Sequence, residues 1–122
     1  MKRDKQQLID YLEHILQAIE RIDRYVDELD EVAFLSNELV QDAVVRNFEI
    51  MGEASNNILK YFPLFAEQNP ELPLAVVYQM RNALAHGYFK VDYEIVWATI
   101  ESNLTEIHAQ IQKSIHSLMS QR

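Results

Sequence analysis

Arg81, Asn82, His86 and Tyr88 fall within one run of eight residues, Arg81-Asn82-Ala83-Leu84-Ala85-His86-Gly87-Tyr88. A guanidinium presents a planar fork of donors that matches a phosphate. An imidazole titrates near neutrality and can take or give a proton. Together they suit holding a phosphate and moving a proton beside it. Gly87, one of two glycines in the chain, is a natural helix terminator because it enters the left-handed conformation without steric cost. His86 is then expected in the last helical turn, where the helix dipole favours the imidazolium.

The helix that carries these residues is expected to begin near Pro73, since proline is tolerated in a first turn. At about 100° per residue, with Arg81 set to zero, Val76, Val77, Met80, Ala83 and Leu84 fall between roughly 200° and 320°. Asn82 and His86 fall near 100° and 140° on the same wheel. The pattern predicts a buried stripe formed by those five apolar residues, with Arg81, Asn82 and His86 on the opposite face.

The remaining elements read as long helices. Leu8, Leu12, Ile15, Ile19, Ile22, Val26 and Leu29 recur at alternating spacings of four and three, a heptad seam. Tyr93, Trp97, Ile100, Leu104, Ile107, Ile111, Ile115 and Leu118 form a second seam. Asp92 is a good N-cap for that last helix, and Lys113, His116 and Arg122 suit its C-terminal end. A further helix is expected from about Asn37 to Phe62, followed by a kink or loop over residues 62–73, where Pro63, Pro70 and Pro73 gather. No segment alternates with period two for long enough to make a strand. The fold expected is all-α, an antiparallel four-helix-type bundle with one short extra helix, built as a single domain over residues 1–122. Tyr11, Tyr25, Phe34, Phe65, Tyr78 and Phe89 are expected at edges or loops, where aromatics can serve an interface between copies.

Composition narrows the function. Nineteen acidic against eleven basic residues give a formal charge of −8, which disfavours broad phosphate-backbone binding. A local basic cleft around Arg81 is compatible with that balance, and Arg46, Lys60 and Lys90 are candidates to enlarge it. The chain has no cysteine, which excludes disulfides and thiolate metal sites and is compatible with the cytoplasm. The charged N-terminus lacks a signal-peptide core, and no apolar run is long enough to span a membrane. His14, His108 and His116 occur singly, and no His-x3-His or His-Glu-x2-His spacing suggests zinc. No metal and no cofactor are expected. Arg46, Glu49 and Glu53 follow at one-turn intervals. They form either an ion-pair ladder or a helix from which Glu53, beside the small Gly52 and Ala54, reaches across to orient Arg81 or Asn82.

The form Arg-Asn-x-Leu-x-His-x-Tyr at 81–88, followed by Val91-Asp92 and Ile95-Val96-Trp97, resembles the HEPN superfamily, and within it the HepT-like toxins. The run from Asp42 to Ala54 resembles the second helix of that family, so the resemblance covers most of the chain. It implies a helical homodimer with metal-independent ribonuclease activity, paired with a minimal nucleotidyltransferase antitoxin of the MntA type that adenylylates the motif tyrosine, here Tyr88. On this reading Arg81 holds the scissile phosphate, His86 acts as acid or base, and Asn82 and Glu53 support them. Two alternatives stand beside it. One is a non-catalytic module that binds a nucleotide or a nucleotidyltransferase; the other is a purely structural helical oligomer.

Overall fold

The structure, a computed structural model, describes residues 4–85 and 91–121. Among these residues the chain forms six helices and no strand: α1 Lys5–Val26, α2 Glu31–Leu35, α3 Glu38–Tyr61, α4 Pro63–Gln68, α5 Leu74–Ala85 and α6 Tyr93–Ser120. The all-α bundle anticipated from the periodicity is the observed one, with α1, α3, α5 and α6 as its main helices and α2 and α4 as short additions. Four helix starts are fixed by side chains that accept from orphan backbone N–H groups. Asp4 caps α1 at Gln7, Asp30 caps α2 at Ala33, Asn37 caps α3 at Val40, and Asp92 caps α6 at Glu94 and Ile95. Each such cap contributes about 1 kcal/mol.

Both heptad seams are buried as their spacing requires. Leu8 to Val26 on α1 and Trp97 to Leu118 on α6 join Val44, Phe48, Met51 and Ile58 of α3 in one continuous core. Leu29, beyond the end of α1, and Tyr93, the first residue of α6, are only partly covered. The order across the molecule is α5, α3, α1, α6, with α3 packed between α5 and α1, and α1 between α3 and α6. Helices α1 and α6 run antiparallel: Lys5 Nζ donates to the Gln121 carbonyl (3.0 Å), and Glu20 meets His108 (3.0 Å). The bundle does not close between α5 and α6. An apolar groove of about 690 Å³ separates them, lined by Val76, Met80, Ala83 and Leu84 on one side and Ile95 and Thr99 on the other.

Four expectations are corrected. The segment 62–73 is not only a loop, since Pro63 opens the short helix α4 at its first position, where a missing N–H costs nothing. A second short helix, α2, lies between α1 and α3. Phe34 is not at an edge: α2 drives it fully into the core, 5.2 Å from the Trp97 ring and 6.2 Å from Tyr93. The last turn of α6 carries no basic residue. Lys113 and His116 sit earlier on the helix and Arg122 lies outside the described residues, so the cation at this C-terminus is Lys5 from α1.

Candidate functional site

Gly52 is where α3 and α5 come closest. It is buried in mid-helix, and a Cβ built there would collide with Cβ and Cγ of Arg81. A helical glycine costs about 0.5–1 kcal/mol against alanine. Here that cost admits the aliphatic stem of Arg81 into the interhelical contact. The wheel of α5 is therefore turned relative to expectation. The buried residues are Leu74 and Val77, near 20° and 320° on a wheel with Arg81 at zero, so Arg81 roots in the middle of the packed face. Val76, expected in the buried stripe, is 61% exposed, Ala83 is exposed, and Met80 and Leu84 are partly covered. The physical reason is the open side of the bundle: α5 packs on α3 alone, and its other apolar residues face the groove.

From this root the Arg81 side chain snorkels outward. Nη2 donates to both carboxylate oxygens of Glu53 (2.9 and 3.0 Å), and Nη1 donates to Asn82 Oδ1 (2.8 Å). The guanidinium carbon lies 5.6 Å from the centroid of the Tyr78 ring, within cation–π range. The Arg81 side chain retains 22% of its exposure and Glu53 retains 57%. The head is thus fixed on several sides but reachable from solvent. Of the two readings for Glu53, the reach across to α5 is the observed one, while Glu49 pairs with Arg46 at 3.9 Å on the surface of α3.

Arg81, Asn82 and Glu53 are brought together. His86, Gly87, Tyr88, Phe89 and Lys90 lie outside the described residues, and with them the expected helix terminator, the expected acid–base group and the expected modification site. Tyr78 was read from the sequence only as an edge aromatic, although it precedes Arg81 by three residues, a spacing that puts neighbours on one helix face. The remaining histidines have structural surroundings. His108 Nε2 lies 3.0 Å from Glu20, His14 meets Tyr11 edge-on, and His116 is exposed. Two buried polar atoms of α3, Asn47 Oδ1 and Ser55 Oγ, have no protein partner. No helix of the described residues is long and apolar enough to cross a membrane.

Comparison with known proteins agrees with the resemblance. A protein of Thermococcus cleftensis named "Probable ribonuclease HepT" is 38% identical over 85% of this chain and 92% of its own length. A candidate RNase of Caldanaerobacter subterraneus subsp. tengcongensis is 36% identical over 84% of this chain and 89% of that protein. A candidate RNase of Methanocaldococcus jannaschii is 33% identical over 88% of this chain and 90% of that protein. No solved structure matches significantly. The family model described as "Ribonuclease HepT-like" matches residues 15–114, a span that takes in the Gly52–Arg81 contact and the whole motif run. The chain belongs to the ribonuclease HepT-like family.

Proposed function

We propose that this protein is the toxin of a HEPN/nucleotidyltransferase pair, a metal-independent endoribonuclease that uses Arg81 and His86 and is silenced by adenylylation of Tyr88. The observation that carries this reading is the seating of Arg81: its stem is packed on Gly52, and its charged head is held, accessible to solvent, by Glu53 and Asn82. A surface ion pair made only for stability contributes little and gives no reason for a buried mid-helix glycine.

The chemistry asks little of the protein, because the nucleophile is already in the substrate. The ribose 2′-oxygen attacks the adjacent phosphorus, the bond from phosphorus to the 5′-oxygen breaks, and a cyclic phosphate and a free 5′-hydroxyl are released. A base takes the 2′-proton and an acid supplies one to the leaving oxygen. His86 fills one of these roles. Arg81 binds the scissile phosphate through its donor fork and stabilises the charge that builds there. Asn82 and Glu53 keep the guanidinium aimed.

Adenylylation of Tyr88 adds a phosphate seven residues beyond Arg81 in the chain. Negative charge introduced there competes with RNA for the guanidinium, by the rules that govern phosphorylation. The apolar groove beside α5 supports a homodimer, in which a second copy covers Val76 and Ile95, 61% and 63% exposed in the single chain.

Cleavage of RNA in EDTA by the parent, with loss in Arg81→Ala and in His86→Ala, is the expected result. Full activity in either variant refutes its catalytic role. After incubation with ATP and the cognate nucleotidyltransferase, mass spectrometry should locate adenylate on Tyr88, and modification of another residue refutes that assignment.

A further inference from the structure

Helix α3 orders the cations that the sequence left unplaced. Arg46, Glu53 and Lys60 follow at seven-residue intervals, so they return to within about 20° of one line along the helix, roughly 10 Å apart. The bond from Glu53 to Arg81 marks that line as the edge of α3 bordering α5. Arg46 and Lys60 therefore lie on the same edge, one on either side of the Arg81 guanidinium. Both are exposed, Arg46 with 69% of its side chain accessible. Its pair with Glu49, at 3.9 Å between two exposed groups, holds it weakly.

Two of these three cations lie against an aromatic ring. Lys60 Nζ is 5.2 Å from the Tyr61 centroid, and the Arg81 carbon is 5.6 Å from Tyr78. Cations that follow a backbone, interleaved with rings on which bases stack, are the usual means of gripping single-stranded nucleic acid. The charge elsewhere sharpens the choice of face. Residues 26–45, around α2 and the start of α3, hold Asp27, Glu28, Asp30, Glu31, Glu38 and Asp42 and no lysine or arginine. Between Arg46 and Lys60 this edge carries three cations, counting Arg81, against Glu49 and Glu53, and the next carboxylate on the line, Asp42, comes one turn before Arg46.

We infer that single-stranded RNA lies along the α3 edge of the α3–α5 cleft, with Arg46 and Lys60 binding phosphates on either side of the one held by Arg81. From Arg46 to Lys60 the edge is roughly 21 Å long, about six nucleotides at a stacked rise of ~3.4 Å. This path rests on the ribonuclease reading and adds to it the binding residues and the line along which the strand lies.

The test uses the full chain and a short labelled 2′-O-methyl RNA, which binds but lacks the attacking hydroxyl. Arg46→Gln and Lys60→Gln should each raise Kd by about three- to tenfold and lower the salt slope by about 0.7, and the double variant by about 1.4. With cleavable RNA, KM should rise while kcat stays within about twofold, since neither group touches the reacting atoms. Lys113→Gln, on α6 beyond α1, should leave Kd unchanged. If the parent binds and cleaves RNA and the double variant keeps the parent's Kd and salt slope, the path is overturned and the ribonuclease reading survives. A parent that neither binds nor cleaves RNA overturns both.

Discussion

A methyl group at Gly52 would occupy the space now filled by the Arg81 stem. Overpacking of this kind costs about 1–3 kcal/mol, while alanine returns about 0.5–1 kcal/mol of helix propensity. Gly52→Ala is therefore expected to lose about 2 kcal/mol in urea unfolding, since Arg81 Cβ is fixed to the α5 backbone and cannot swing aside. Its cleavage rate, measured where the variant is still folded, should fall by about 10²-fold, because a displacement near 1 Å of a positioned group is enough for that. Equal, small losses in both measurements would show that Arg81 tolerates the shift and that Gly52 serves packing alone. The residues around the guanidinium were partly legible beforehand. Glu53 beside a glycine suggested a close approach, but spacing could not separate that from a ladder with Arg46. Only the distance across to α5 decided it.

Among the helices, the open side of the bundle and the α1–α6 seam make different predictions. Ile95 faces the groove at the start of α6 and is 63% exposed, so Ile95→Asp should leave the fold of one chain intact. In the proposed dimer the same change buries an unpaired charge. Sedimentation should then show association weakened by tenfold or more, about 1.4 kcal/mol. On α1, burial beside α6 raises the Asp23 carboxyl above its ordinary value of 3.8, opposed by His108 and reinforced by Glu20 and Asp27. The folded chain thus holds that proton more tightly than the unfolded chain does. Its cost to stability is absent below the ordinary carboxylate range and grows as pH rises through the raised value. Asp23→Asn should accordingly be slightly more stable than the parent at pH 7, the gain being small because solvent screens so exposed a side chain. The gain should disappear below about pH 4; a gain that persists there would point to a cause other than ionisation.

Over the whole molecule the net charge of −8 leaves few sites where RNA can approach closely. With three cations on the α3–α5 edge, log K should fall with log salt at a slope of about −2. Titration of a short single-stranded RNA at several salt concentrations measures this. A slope several times steeper would require a wider basic surface than this chain has among its described residues. The same acidity disfavours non-specific binding of RNA over most of the surface, and on the proposed path affinity depends on the few groups around Arg81.

Periodicity determined where α1 and α6 run and which residues of their seams are buried, because a heptad pattern has no other way to hide its apolar side. The residue types at 81–88 suggested phosphate binding and proton transfer, the chemistry proposed for the motif. Which way α5 turns was decided only by packing. A wheel assigns the apolar arc to the interior, but α5 has one neighbour, and Gly52 lets the Arg81 stem take the packed position while Val76 and Ala83 face the groove. The alignment of Arg46 and Lys60 with Arg81 arose in the same way: seven-residue spacing puts the first two on one line, but only the contact between α3 and α5 shows which side of the helix that line borders.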